Sequence, residues 1–394
     1  MPHNYFSKEK RGVTLTVLIL GTALSCVIFA YLVFGDSNDE EALRTIRMVG
    51  IVFRHGARNP TESYPNDPYL NYNWPGGYGA LNKRGSQQMY NLGKNLYLRY
   101  YRLLPENGLY SREDMKVTSS AAERAIMSAQ SFLAGFMPPL ETNNPLPIPW
   151  QPVAISVLPR EQDTLLAMKK PCAKYDDMLK QLYINPPDDI KDMNERNSNL
   201  YEMLSKYTGL NISRVIDVEL LYNTLDVEKE SGLVLPDWTE QIFPHRLQLP
   251  TERSYTLFTE TPYMKKIKGG ALFTDVLDKM VKKRNGLLSP NRSIFIYSGH
   301  DVTLVNIMNA MGILDDTSRK PDYAATLVIE LHHSYLYTND MEVRIVYYFN
   351  SEDRFPKEIP IPGCDRPCSL SNFAKAMSNI ILRDDYDEAC KIVE

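Results

Sequence analysis

The sequence predicts an α/β fold: a mixed sheet flanked by helices, interrupted by a mainly helical insertion, with a separate apolar helix at the N-terminus. Three observations carry this. Short apolar runs occur without polar alternation, as expected of strands covered on both faces. Each run ends in polar residues and two of them lead directly into a helical pattern. Between about 138 and 268 the chain shows helical spacing and few strand-like runs.

The first element is Val13 to Phe34, 22 residues without a charge. A bilayer core needs about 20 apolar residues as helix. Lys8, Lys10 and Arg11 precede the run and Asp36, Asp39, Glu40 and Glu41 follow it, which places the tail in the cytosol and the rest outside it. Residues 1–35 are therefore expected as a cytosolic tail and single-pass type II anchor, with 36–394 luminal or extracellular. A cleaved signal peptide is the competing expectation, giving a secreted product. Val33 and Gly35 are small enough for a peptidase site, but the run exceeds the usual apolar length of roughly 7–15 residues.

Other features fit that compartment. Asn211-Ile212-Ser213 and Asn291-Arg292-Ser293 are acceptable glycosylation sequons, whereas Asn59-Pro60-Thr61 is blocked by its proline. With Cys26 in the apolar run, Cys172, Cys364, Cys368 and Cys390 remain, and four cysteines allow three pairings. Cys364 and Cys368 are near enough to close a small loop around Pro367, which by elimination joins Cys172 to Cys390. An oxidising compartment favours both bonds.

Three strands follow. Arg47 to Phe53 stops at Arg54-His55-Gly56, and Lys116 to Ser119 leads through Ser120 into a helix over Ala121 to Ala134. Ser293 to Ser298 ends at Gly299-His300-Asp301, with a helix from about Val302 to Met311. In open α/β sheets ligands bind beyond the carboxyl ends of strands, and all three polar clusters sit at such ends. After the helical insertion, Ala325–Leu331 and Glu342–Tyr348 read as paired strands turning at Thr338-Asn339-Asp340.

The strand ends define the chemistry. Arg54-His55-Gly56-Ala57-Arg58 puts two guanidiniums around one imidazole, with Gly56 as a tight turn. Arginine forks match the oxygens of a phosphate. Cations lower the pKa of an imidazole between them, keeping it neutral and nucleophilic. Attack on phosphorus by His55 would form a phosphohistidine. Arg124 opens a helix, where dipole and side chain both favour an anion. Asp301 is the acid beside these motifs and is expected to protonate the leaving group, which requires its protonated form and so activity below neutral pH. His300 is expected as a second donor to the phosphoryl oxygens. Lys+Arg 44 against Asp+Glu 48 gives a net charge of −4, which argues against nucleic acid as a partner. The scattered cysteines and histidines offer no metal-site framework.

With these residues in place, the chain resembles the histidine acid phosphatases of the lysosomal and prostatic type over nearly all of the soluble part. The resemblance is carried by Val52 to Pro60, Val117 to Ser128, Pro171 to Tyr175, Tyr297 to Asp301 and Pro362 to Cys368. It implies a phosphoglycerate-mutase-like sheet domain with a helical cap, small-molecule phosphate monoesters as substrates, and no metal or other cofactor. It also implies His55 as nucleophile, Arg54, Arg58, Arg124 and His300 as phosphate ligands, Asp301 as proton donor, and disulfides Cys364–Cys368 and Cys172–Cys390. The chain departs from the nearest members at Ala57 and Glu123, where they usually carry Asp. Lysosome or cell surface is the expected site of action, and a homodimer is an admissible state. Rival readings are a phytase, a phosphomutase or a lipid-phosphate-specific member of the same superfamily. Others are a metal-dependent helical phosphohydrolase and a phosphate-binding surface protein with a weak or dead pocket.

His245 is expected as a surface or packed residue. His332 and His333, adjacent on a strand, face opposite ways and cannot chelate together. Tyr64, Tyr69, Tyr72 and Tyr78 are expected chiefly as packing residues, with an apolar substrate mouth as the alternative.

Overall fold

The computed structural model describes residues 43–392. The Val13–Phe34 run lies outside the described residues. Among the described residues, no helix is long and apolar enough to cross a membrane.

The chain builds a mixed eight-stranded sheet with the order β3-β2-β4-β1-β5-β6-β7, and β8 pairs with β6. The strands are β1 (Ile46–Arg54), β2 (Met115–Ser119), β3 (Ile155–Val157), β4 (Ile294–Gly299), β5 (Thr326–His333), β6 (Met341–Tyr348), β7 (Lys357–Ile359) and β8 (Cys368–Ser369). β4 lies parallel between β1 and β2, and β3 extends the parallel part beyond β2. β5, β6 and β7 run antiparallel in sequence, so the two halves of the sheet differ in character.

Helices cover both faces. α1 (Lys83–Tyr100) and α2 (Glu123–Phe136) pack closely together: a Cβ on Gly93 would lie 2.1 Å from the Phe132 carbonyl oxygen. Phe132 in turn packs on Phe53 of β1, ring centroids 4.9 Å apart. On the opposite face α8 (Ala271–Arg284), α9 (Asp301–Met311) and α10 (Leu370–Ala376) bury Phe273, Leu304, Met308 and Phe373 with Met48 and Val52. Each fully buried apolar side chain contributes roughly 1.5–3 kcal/mol. Coverage of both faces is the reason these strands lack polar alternation.

Between β3 and β4 the chain is helical: α3 (Ala173–Ile184), α4 (Asp188–Arg196), α5 (Ser198–Thr208), α6 (Val215–Glu230) and α7 (His245–Thr256) precede α8. α5, α6 and α7 share a core of their own, built on Leu200, Leu204, Val218, Leu221, Leu225 and Leu247, and Tyr64 joins it. The range 138–268 expected as an insertion also contains β3, which remains part of the sheet, because Ile155 pairs with Val117.

Disulfides join Cys172 to Cys390 and Cys364 to Cys368. Asn211 and Asn291 are exposed, as is His245. His332 is buried against Glu330 at 3.1 Å while His333 is exposed, so the two do not meet. Tyr69 donates to the Val234 carbonyl, and Tyr72 and Tyr78 are exposed.

Candidate active site

Three neighbouring strands end together. Arg54 is level with Gly299 across β1 and β4, and Ser119 is level with Ser298 across β2 and β4. Past the strand ends the chains stay tied: His55 N–H donates to the Gly299 carbonyl at 3.1 Å, and Ser120 N–H to the Ser298 carbonyl at 3.0 Å. These ties bring residues from the 50s, the 120s and the 300s to one edge of the sheet, at its carboxyl end.

Gly56 is required by close packing rather than by a left-handed backbone. A Cβ there would lie 2.3 Å from the Gly85 carbonyl oxygen, and one on Gly85 would lie 2.0 Å from the Ala57 oxygen. The Gly56 N–H donates to Ser128 Oγ at 3.1 Å, and the Ala57 N–H to Gln88 Oε1 at 2.9 Å. The turn after His55 is thereby wedged between α1 and α2. Ala57 is buried and Glu123 is exposed at the start of α2.

His55 is buried and its tautomer is fixed by its partners. Arg124 Nε donates to His55 Nε2 at 3.0 Å, and Nδ1 lies 2.9 Å from the Gly56 carbonyl, which can only accept. The proton therefore sits on Nδ1 and the lone pair on Nε2. Burial, then Arg124, Arg54, His300 and Arg58, hold the ring's pKa well below its ordinary 6.5. These neighbours favour the neutral imidazole.

Around it the charge is unbalanced. Arg54 donates through Nη1 to the Pro321 carbonyl at 2.6 Å and pairs through Nη2 with Asp301 Oδ2 at 3.0 Å. Its guanidinium lies over the Tyr323 ring, 4.1 Å from the centroid. Arg58 donates to the Asn59 carbonyl at 3.0 Å. The Nε atoms of Arg54 and Arg58 are buried without a hydrogen-bond partner. Arg124 is lowered to about 10, by burial and then by Arg58 and Arg54, with Asp301 opposing. One carboxylate faces three guanidiniums.

His300 closes the ring of residues, its imidazole 5.5 Å from that of His55. Its ring Nε2 shares a hydrogen bond of 2.8 Å with Ser120 Oγ, and its backbone N–H donates to Thr303 Oγ1 at 2.9 Å. Burial and then Arg124 lower it to about 3, so it is neutral too. Burial would raise the Asp301 carboxyl, but Arg54 and Arg58 outweigh burial and hold it at about 2. Asp301 Oδ1 accepts from the Val302 N–H at 2.8 Å. All six side chains singled out from the sequence therefore meet at one edge of the sheet. Among the described residues, no group of three or more His, Cys, Asp or Glu is disposed to hold a metal ion.

Sequence reasoning missed four residues at this edge. Tyr323, under Arg54, precedes Ala324, whose φ of 63° bends the chain into β5. Tyr255, on α7, points its hydroxyl at Asp301 Oδ2, 3.5 Å away. Asn223 of α6 donates to Tyr255 at 3.3 Å and to Glu219, also of α6, at 2.7 Å. The i,i+4 spacing of Glu219 and Asn223 was the available signal.

The sequence matches the histidine phosphatase superfamily (branch 2) over residues 45–348. The chain belongs to that family. A lysosomal acid phosphatase of Rattus norvegicus is 30% identical over 89% of this chain and 81% of its own length. A venom acid phosphatase of Apis mellifera is 31% identical over 85% of each chain. Prostatic acid phosphatase of Homo sapiens is 27% identical over 93% of this chain and 94% of its own. Among solved structures, the apo form of Hafnia alvei phytase superposes with a TM-score of 0.65 at 19% identity, covering 89% of this chain and 98% of that one. That likeness establishes the histidine phosphatase fold: a central mixed sheet flanked by helices.

Proposed function

We propose that the protein is an acid phosphatase that hydrolyses phosphate monoesters in two steps through a phosphohistidine on His55, without a metal. The observation that carries this reading is the His55 tautomer. Its Nε2 lone pair faces the guanidinium of Arg124 in a cluster with an excess of positive charge. A phosphate dianion would exchange that contact for bonds between its own oxygens and Arg54, Arg58 and Arg124. Those cations also neutralise charge on the equatorial oxygens during transfer, where a metal would otherwise be needed.

In the first step the Nε2–P bond forms as the ester P–O bond breaks. Asp301 gives the leaving oxygen its proton. In the second step water attacks phosphorus, Asp301 takes the water proton, and the Nε2–P bond breaks to release phosphate. His300 orients a phosphoryl oxygen, steadied by Ser120. Asp301 is ionised in the free site. Bound phosphate competes for Arg54 and Arg58 and so raises its proton affinity, which matches activity at acid pH.

The reading is tested by hydrolysis of p-nitrophenyl phosphate by the full chain across pH, with and without chelator. Turnover at acid pH, unchanged by chelator, is expected. His55→Ala should remove it by more than about 10⁴-fold. Asp301→Asn should slow alkyl phosphates by about 10²–10⁴-fold and p-nitrophenyl phosphate much less, since the latter's leaving group needs little help. Turnover that survives His55→Ala sinks the phosphohistidine.

The relatives' names and the two disulfides support a luminal or lysosomal place of work. We place the catalytic part on the luminal side, held by the Val13–Phe34 anchor and glycosylated at Asn211 and Asn291. A chain that leaves membranes on carbonate washing, or that shows no mass shift with glycosidase, contradicts that placement.

A further inference from the structure

The leaving group needs a proton, yet the free site keeps Asp301 ionised. Side chains from two helices of the β3–β4 segment lead away from that carboxylate. The Tyr255 hydroxyl stands 3.5 Å from Asp301 Oδ2 and lies beside the Glu219 carboxyl. Asn223 Nδ2 fixes both, at 3.3 Å to the Tyr255 oxygen and 2.7 Å to Glu219 Oε1. Glu219 and Asn223 share one face of α6, four residues apart. Tyr255 is held in the main core, with its hydroxyl facing Asp301 and Asn223.

We propose that Glu219 is the proton store of the catalytic cycle, joined to Asp301 through the Tyr255 hydroxyl. The proton moves to Asp301 when a phosphate dianion fills the arginine site and returns when the site empties. The proposal rests on the phosphohistidine reading and adds to it the source of the acid's proton. The step balances: Glu219 gives its carboxyl proton to Tyr255 Oη while the hydroxyl gives its own to Asp301 Oδ2. Glu219 ends as carboxylate, Asp301 as acid and Tyr255 unchanged.

The electrostatics agree with the geometry. Burial, then the Asp301 charge, push Glu219 up to about 7, with Asn223, Tyr255 and Arg58 opposing. Tyr183, backed by Arg214, also faces it. Burial and both carboxyls push the Tyr255 hydroxyl well above its ordinary 10, so it relays a proton without ionising. Two carboxyls with pKa values driven apart share one proton, and the anion decides which holds it. Because hydrolysis returns the water proton to Asp301, the store is refilled as product leaves. Glu219 thus keeps the site's net charge favourable to an incoming dianion without giving up the acid.

Sulfate, a tetrahedral dianion that does not titrate near pH 5, is the probe. Its binding to the full chain is measured by calorimetry in two buffers of different ionisation enthalpy. In the wild type, proton transfer is internal and uptake from bulk is near zero. In Glu219→Gln, where the amide oxygen can still accept from Asn223, Asp301 draws about one proton from bulk per sulfate bound. Tyr255→Phe, which cuts the path and keeps the ring, repeats the measurement should Glu219→Gln fold poorly, and should show slow rather than absent internal transfer. For an alkyl phosphate the alkaline limb of kcat should move to lower pH in Glu219→Gln, and much less so for p-nitrophenyl phosphate. Equal proton uptake in wild type and Glu219→Gln, at any value, overturns the store. Absence of sulfate binding, or turnover by His55→Ala, overturns the phosphohistidine reading and the store with it.

Discussion

Two buried charged clusters lie in this molecule, and they are built to opposite rules. Around Glu330, at the middle of β5, the carboxylate is matched by its own cation and donors. Arg99 reaches it by Nε at 2.8 Å and Nη2 at 3.2 Å, Tyr100 donates at 2.6 Å, and His332 lies 3.1 Å away. Burial would raise Glu330, but Arg99 and His332 hold it well below the usual carboxylate range. At the strand ends, three guanidiniums share one carboxylate, and two of their nitrogens lack a partner. A closed cluster ties α1 to the sheet; an open one is prepared for an anion that brings the missing charge. Buried polar groups left incomplete cost stability, so they persist where a ligand completes them.

Breaking the closed cluster should be the larger blow to folding. Glu330→Ala strands the Arg99 guanidinium and should cost about 3–5 kcal/mol in urea unfolding. The same experiment on His55→Ala should cost far less, although that change should abolish turnover. A similar loss in both proteins would mean that the open cluster also holds the fold together.

A smaller effect separates the clusters by pH. His55 and His300 are held below their ordinary 6.5 in the folded chain, so on acidification the unfolded chain binds their protons first. Stability contributed by the active site therefore falls as pH drops below about 6.5, and for His300 continues to fall to about 3. Glu330, held low, contributes stability that stays whole until pH falls through its ordinary 4.5 and is lost below it. His300→Asn should flatten the slope of unfolding free energy between pH 6.5 and 4.5 and leave the slope at lower pH to Glu330. An unchanged upper slope would remove His300 as its source.

This contrast also explains what was readable from sequence. The strand-end motifs are local: each functional residue sits within five positions of an apolar run's end, so a few residues announce both element and site. The helical segment is different. Glu219, Asn223 and Tyr255 reach Asp301 only because Leu221, Leu225 and Leu247 pack α6 against α7, and nothing near them in sequence marks that orientation. Tyr323 was hidden for a similar reason, lying in a loop whose bend at Ala324 is a tertiary matter. The short β3 escaped notice because three residues are too few to show a period.

The bond between Cys172 and Cys390 makes a covalent ring of everything between them. His300, Asp301 and Glu219 lie inside it; His55 and Arg124 lie on the free leader that precedes it. A single cut in the exposed proline-rich stretch near 145–149 would leave no covalent link between His55 and Asp301, only the pairing of β1 and β2 with β4. A cut inside the ring would leave the two parts fastened together. Against a protease, the bridge therefore shields one half of the site from dismemberment and leaves the other dependent on its packing alone.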